Sequence, residues 1–381
     1  MARLGHRVGH LFMGAAMNPS PWLGIHGGRV AEAARRWGVT PSDILDFSAN
    51  LNPWGPPASV KAAVARADWT HYPDDTALRA TFAERHQLDP VSVVVGNGTA
   101  GLLFDTLRVW RPRRVLLLEP SFAEYRRALV AVNACLVTKP LRAETGFQPD
   151  WTDLAMFIRA SRVDTILLNN PHNPTGASYP LKHLLPFVRT VAQHSVRVVL
   201  DEAFSDYSPQ ESLVRQAAHI PNVVILRSPT KFYTMPGLRV GFAIAYPPLA
   251  HELRRQTAAW PVGTPALEAA RSALTDEAFA SQTRIRNECA KRTFARALEE
   301  LGCTVFPSAA NFLLVRLPSG TGADLARWLE PHRVLIRRCA EFVGLDDQFL
   351  RLAVRDDTAN AHLIGLLVRW LETVRQRELT R

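Results

Sequence analysis

At 381 residues, with 47% hydrophobic and 21% charged side chains, the chain can build one large domain plus a smaller one and is too apolar for intrinsic disorder. Its 45 Lys and Arg against 35 Asp and Glu leave a formal charge of +10, which favours anionic ligands; the basic residues are scattered, so no nucleic-acid partner is expected. Cys135, Cys289, Cys303 and Cys339 form no CxxC pair or metal-ligand spacing, and no apolar run reaches the roughly 20 residues of a membrane helix, so the expectation is a reduced, cytoplasmic protein with no metal and no membrane partner.

The first 20 residues are basic around a short apolar run, Leu11 to Met17. They lack a clean small-residue cleavage site and read as a flexible tail, or as a segment upstream of a true start at Met17. Residues 21–55 read as an N-terminal arm, with a turn at His26-Gly27-Gly28, a helix over Val30–Trp37 and the loop Asp46-Phe-Ser-Ala-Asn50-Leu-Asn52-Pro53. A helix is expected near 59–67. An exposed turn follows at His71-Tyr72-Pro73-Asp74, then a helix over Thr76–His86.

Beyond residue 90, short apolar runs alternate with helical patterns. Strands are expected over 91–95, 114–118, 134–137, 165–168, 196–200 and 222–227, with another from Leu238. This is the signature of an α/β fold: a mainly parallel sheet between two layers of helices. Residues 56–255 form this large domain. Residues 256–381 are expected to form a smaller α+β domain, with a long helix over 278–301, short strands near 304–306, 311–315, 334–336 and 350–354, and a last helix over 359–375. The arm is expected to pack on the small domain and on the active site.

The polar residues fall where the apolar runs stop, and in a parallel sheet such strand ends hold the ligand. Gly98-Thr99 opens a helix, where backbone N–H groups and the helix dipole attract an anion. Phe122 or Tyr125 can lie flat against an aromatic cofactor. Asn173 can donate to a phenolic oxygen, and Asp201 can keep a ring nitrogen protonated. Lys231 can form an imine, and Ser228 with Arg239 can complete a phosphate cup. Taken singly, each has a plainer reading: Asp201 an N-cap or surface acid, Asn173 a turn former, Tyr125 core packing, Thr99 an ordinary cap.

As a set, Asn173-Pro-Thr-Gly176, Asp201-Glu-Ala203 and Ser228-Pro-Thr-Lys231 with Arg239 resemble the pyridoxal-phosphate enzymes of the aspartate-aminotransferase fold type, over about residues 45–375. The resemblance implies pyridoxal 5'-phosphate held covalently on Lys231, its ring nitrogen on Asp201 and its phenolic oxygen on Asn173. It also implies a homodimer in which Tyr72 reaches the partner's cofactor phosphate. A narrower set is His26-Gly-Gly, Asp46-Phe-Ser-Ala-Asn50, Ser121-Phe-Ala-Glu-Tyr125, Asp201-Glu-Ala-Phe204-Ser-Asp206 and Leu335-Ile-Arg337-Arg-Cys-Ala340. This set is similar to the L-threonine-O-3-phosphate decarboxylases of cobalamin biosynthesis, which stand beside the histidinol-phosphate aminotransferases.

That resemblance implies loss of CO2 from a small phosphorylated amino acid, L-threonine O-3-phosphate, giving (R)-1-amino-2-propanol O-phosphate. Arg337 and Arg351 would share the substrate's phosphate and carboxylate, in an order left open, with His26, Gly27 and Asn50 covering it from the arm. Phe204 stands where the aminotransferases usually carry a tyrosine, and Tyr207 is out of register to replace its hydroxyl. A histidinol-phosphate-type aminotransferase is the first alternative. A non-catalytic regulator on the same fold is a more distant one, since the sequence before residue 26 offers no helix-turn-helix module.

Overall fold

The computed structural model describes residues 26–379; the expected tail, the alternative start at Met17 and the first residues of the arm lie outside them. Thirteen strands occur among the described residues. They are β1 (Leu45–Asp46), β2 (Val93–Gly96), β3 (Arg114–Glu119), β4 (Cys135–Pro140), β5 (Thr165–Asn169), β6 (Arg197–Asp201), β7 (Val223–Arg227), β8 (Gly241–Ala245), β9 (Thr304–Val305), β10 (Phe312–Arg316), β11 (Val334–Leu335), β12 (Arg337–Arg338) and β13 (Phe349–Ala353). Seven of them make the central sheet, in the order β2-β8-β7-β6-β5-β3-β4. β4, β3, β5, β6 and β7 run parallel, and β8 lies antiparallel between β7 and β2. Strands β5 to β8 are buried along their length apart from the first residue of β6, as expected of a sheet covered on both faces.

One apolar cluster lies on each face. Phe82, Ile166, Leu168, Phe187, Val198, Ile225 and Phe242 belong to one; Leu103, Leu107, Leu117, Tyr125, Val199, Val224 and Ala243 belong to the other. The alternation within one strand, Ile225 to one side and Leu226 to the other, follows from the two-residue period of a β-strand. Val262, Ala266, Leu267, Ala270 and Leu274 share the first cluster with Val60 and Leu78, so residues on both sides of the boundary expected at 255 pack into one core.

The 24-residue helix Glu277–Glu300 crosses between cores: Ala280 lies in the large one, while Ala290, Phe294 and Leu298 lie in a second around the antiparallel sheet β12-β13-β10-β9. The arm joins that second unit. β1 pairs parallel with β11, and Phe47 is fully buried with its ring centroid 6.1 Å from that of Phe294. Neither β1 nor β12 is expected from the sequence: each is two residues long and half or wholly charged (Leu45-Asp46, Arg337-Arg338), whereas the equally short β9 and β11 sit in apolar runs. The strand expected from Leu238 begins only at Gly241. Pro236–Leu238 form a turn of 3-10 helix and Arg239 takes a left-handed conformation (φ 53°), which breaks the extended run.

Candidate active site

The carboxyl ends of β5, β6 and β7 are level, since Asn169 is the register partner of Asp201 and Asp201 that of Leu226. The chain leaves each strand there into a polar loop. Asn169 holds two of these loops together: its Nδ2 donates to the Asp201 carbonyl at 2.6 Å, and its Oδ1 accepts from the Asn173 backbone N–H at 2.7 Å.

Asp201 is 7% exposed. Its Oδ1 accepts from the Ala203 backbone N–H at 2.9 Å and its Oδ2 from the Tyr125 hydroxyl at 3.0 Å. Burial pushes its carboxyl above the usual range, while Lys231 and those two hydrogen bonds pull the other way. Tyr125 does not present a free ring face. It is buried in the core with its hydroxyl committed to Asp201, and Phe122 meets it edge-on at 5.6 Å. Phe122 is only half-buried, so of the two expected candidates it is the ring available for stacking.

Lys231 stands in the loop between β7 and β8, with Nζ 5.7 Å from the centroid of the Phe204 ring. Desolvation holds its amine below the ordinary lysine range; Arg239 and Arg351 act in the same direction and Asp201 against it. Phe204 is buried against Phe312 at 5.1 Å; Tyr207 packs against the same small cluster with its ring on Phe232 at 4.8 Å, and its hydroxyl is buried without a hydrogen-bond partner.

The expected phosphate cup draws on three strand ends. Gly98 opens the helix Gly98–Trp110 at φ +67°, and a Cβ there would stand 2.6 Å from the Arg239 guanidinium. A Cβ on Gly241 would stand 2.7 Å from the Thr99 nitrogen, so only glycine lets β8 pass this close to the helix start. Ser228 is buried, with its hydroxyl 2.7 Å from that of Thr230.

On the opposite wall, Arg337 and Arg351 are register partners across the β12–β13 pair, and both are 7% exposed. Arg351 donates from Nη1 to Asn173 Oδ1 at 2.6 Å and from Nη2 to the Ser48 carbonyl at 3.0 Å. Burial lowers its guanidinium to about 10. Arg337 donates from Nη1 to Glu341 at 2.8 Å. Each arginine keeps one buried nitrogen without a partner, Nε of Arg351 and Nη2 of Arg337, and Asn50 Oδ1 is a buried acceptor in the same condition. Buried donors without partners carry a desolvation cost that an anionic ligand would relieve.

The arm reaches this wall through Gly27. A Cβ at Gly27 would lie 2.0 Å from the Ser48 carbonyl oxygen, the same oxygen that takes Arg351. His26 does not point free into the site: its Nε2 is 2.7 Å from Glu124 Oε1, and its ring is tilted 5.5 Å from Phe122. Tyr72 lies outside this group. It is 77% exposed and stacks on Trp260 at 4.1 Å. Asn169, Ser48 and Glu124 are not among the expected site residues, although Ser48 and Glu124 lie within motifs that carry the resemblance; each acts on a residue that folding brings to it.

A mixed α/β sheet with a half-buried lysine and a buried aspartate at its strand ends, faced by two arginines, defines the class of protein. Residues 42–367 match the family described as aminotransferase class I and II, and the chain belongs to that family. It is 37% identical to a threonine-phosphate decarboxylase of Salmonella typhimurium, over 90% of this chain and 95% of that one. It is 27% identical, over 92% of this chain but 42% of a longer protein, to an adenosylcobalamin biosynthesis bifunctional protein of Leptospira interrogans. Among solved structures, a histidinol-phosphate aminotransferase from Clostridium acetobutylicum aligns with a TM-score of 0.80 at 27% identity, covering 85% of this chain and 98% of that one.

Pyridoxal 5'-phosphate is the cofactor of this family, and the donor set here suits it. An amine of lowered basicity would suit an aldehyde, a buried carboxylate would suit a ring nitrogen, and a helix start with Arg239 and Ser228 would suit a phosphate.

Proposed function

We propose that the chain is a pyridoxal-phosphate-dependent decarboxylase of L-threonine O-3-phosphate, releasing CO2 and (R)-1-amino-2-propanol O-phosphate for the aminopropanol linker of cobalamin. The observation that carries the substrate class is the cross-strand pair Arg337 and Arg351, each with one buried, unpartnered nitrogen. Two planar cations side by side suit a molecule with two anionic groups. Decarboxylation rather than amino transfer is favoured by Phe204, which brings no hydroxyl beside Lys231, and by the similarity to the Salmonella threonine-phosphate decarboxylase.

When bound, the cofactor supplies an electron sink for the pair left at Cα. The chain's residues do the rest. Asp201, held by Tyr125 and the Ala203 N–H, keeps a ring nitrogen protonated. Arg351 orients Asn173 by occupying its Oδ1, which leaves the amide NH2 as the group that would donate to the cofactor's phenolic oxygen. Lys231 is deprotonated more readily than an ordinary lysine and returns a proton to Cα. Arg351, the deeper of the two arginines through its bond to Asn173, takes the carboxylate; Arg337 takes the phosphate and exchanges Glu341 for it. Gly27 and Asn50 close the arm side, and His26 acts through Glu124.

The working unit is a homodimer, in which the exposed Tyr72 and Trp260 pack on the second copy and Tyr72 completes its phosphate cup. Four unpaired cysteines suit a cytoplasmic enzyme. The division into arm, large domain and small domain is kept, with its second boundary moved from 255 into the helix Glu277–Glu300, where core membership changes.

The site assignment is tested on protein reconstituted with pyridoxal 5'-phosphate and reduced with borohydride. Mass spectrometry should find the pyridoxyl group on the peptide carrying Lys231, and none in Lys231→Ala. A label on another lysine would overturn the assignment.

A further inference from the structure

We infer that Asn52 is a positioning residue for Lys231: from the arm, it fixes the backbone of the loop that carries the lysine. The inference rests on the reading of Lys231 given above. Between the end of β7 at Arg227 and the start of β8 at Gly241, neither strand pairing nor a long helix holds the chain. Lys231 therefore depends on loop contacts for its place. Asn52 is 1% exposed, and each of its polar atoms has a partner.

Three of those partners lie within four residues of the lysine loop. The Asn52 N–H donates to the Lys231 carbonyl at 3.1 Å. Its Nδ2 donates to the Phe232 carbonyl at 2.8 Å, and its own carbonyl accepts from Thr234 Oγ1 at 2.6 Å. The other contacts tie the clamp outward: Oδ1 accepts from the Trp54 N–H at 3.0 Å, and Nδ2 lies 3.3 Å from Thr283 Oγ1 on the helix Glu277–Glu300.

Two further features show that this geometry is imposed. Thr234 sits at φ 50°, a conformation that a β-branched residue adopts only when its surroundings dictate it. Gly55 leaves room for that threonine, since a Cβ there would stand 2.7 Å from Thr234 Oγ1. Truncating the Asn52 side chain keeps its backbone bonds to Lys231 and Thr234 but removes the Nδ2 donor from the Phe232 carbonyl and the ties to Trp54 and Thr283, which loosens the peptide groups that follow Lys231 and lets the amine move out toward water. A residue that only stabilised the fold would not change the environment of that amine.

The apoprotein gives a readout independent of turnover. The rate at which acetic anhydride acylates Lys231, followed by mass spectrometry of its peptide across a pH series, reports the amine's titration midpoint. Asn52→Ala is expected to raise that midpoint by about one unit, a tenfold change in free amine at a given pH. Thr234→Val removes the reciprocal bond while keeping the β-branch, and is expected to shift it in the same direction by less. Thermal midpoints are recorded alongside. Profiles that superimpose on wild type while the thermal midpoint falls would overturn the inference and leave Asn52 a stabilising residue only. If Asn52→Ala does not fold, Thr234→Val decides by itself. If wild-type protein carries no pyridoxyl label on Lys231 after borohydride, it is the functional reading that fails. A correct label with unshifted variants fails the inference alone.

Discussion

Tyr125 and Asp201 show how a single hydroxyl changes the work of a buried carboxylate. Burial pushes the Asp201 carboxyl above its usual range, and the 3.0 Å bond from Tyr125 favours its charged form. Tyr125→Phe removes that donor and leaves Oδ2 without it, at a cost of about 1–3 kcal/mol in the interaction. The expected result is a fall in kcat of about tenfold or more, with the acidic limb of the pH–rate profile moved to higher pH. An unchanged profile would show that Asp201 needs no help. The two arginines separate in the same way. Arg337→Lys should weaken L-threonine O-3-phosphate mainly through KM and leave unphosphorylated threonine, however poorly used, almost unaffected. Arg351→Lys should lower kcat/KM for both by on the order of a hundredfold, because it loses the carboxylate and the hold on Asn173 together. Steady-state kinetics with the two substrates read the difference.

At the scale of elements, the arm is the part whose effect reaches furthest for its size. β1 attaches it to β11, Gly27 presses on Ser48, and Ser48 passes the contact to Arg351, 303 positions away in sequence. A methyl group at Gly27 cannot fit 2.0 Å from a carbonyl oxygen, so Gly27→Ala must move the arm. The expected signature is a rise in KM of about tenfold, about 1.4 kcal/mol, with thermal stability little changed, since Gly27 contributes nothing to a core. Strand ends were legible in the sequence because a buried strand stops abruptly at its first polar residues, and Asn173, Asp201, Ser228 and Lys231 all stand just beyond such runs. Tyr125 was legible as a residue of the site but not in its role, because which ring faces outward depends on how its helix is rotated. Asn169, Ser48 and Asn52 were not legible as site residues. Each works through contacts made with distant parts of the chain, and no local pattern encodes such contacts.

For the whole molecule, stability and assembly give two further expectations. His172 is buried beside Thr175, and desolvation lowers its imidazole to about 4. His86 is lowered to about 2 by the same cause. A base whose folded-state value lies below its unfolded one binds fewer protons when folded, so stability is fully present above about pH 6.5 and falls as pH drops toward 4. For His172 the loss over that window is up to roughly 3 kcal/mol. Urea midpoints at pH 7 and pH 5 should therefore separate less in His172→Gln than in wild type. Assembly is tested by complementation. Lys231→Ala and Tyr72→Ala protein, unfolded together and refolded, should regain about a quarter of wild-type activity, because one site of each mixed dimer is intact. No recovery would mean that Tyr72 does not serve the partner's site.

The most direct test follows the carboxyl carbon. L-Threonine O-3-phosphate labelled at its carboxyl group should release labelled CO2 in step with aminopropanol phosphate, the cofactor ending each turnover in the form in which it began and without any keto-acid acceptor. Phosphothreonine that survives intact, while histidinol phosphate passes its amino group to 2-oxoglutarate to give glutamate, would contradict the decarboxylase reading and make this chain an aminotransferase.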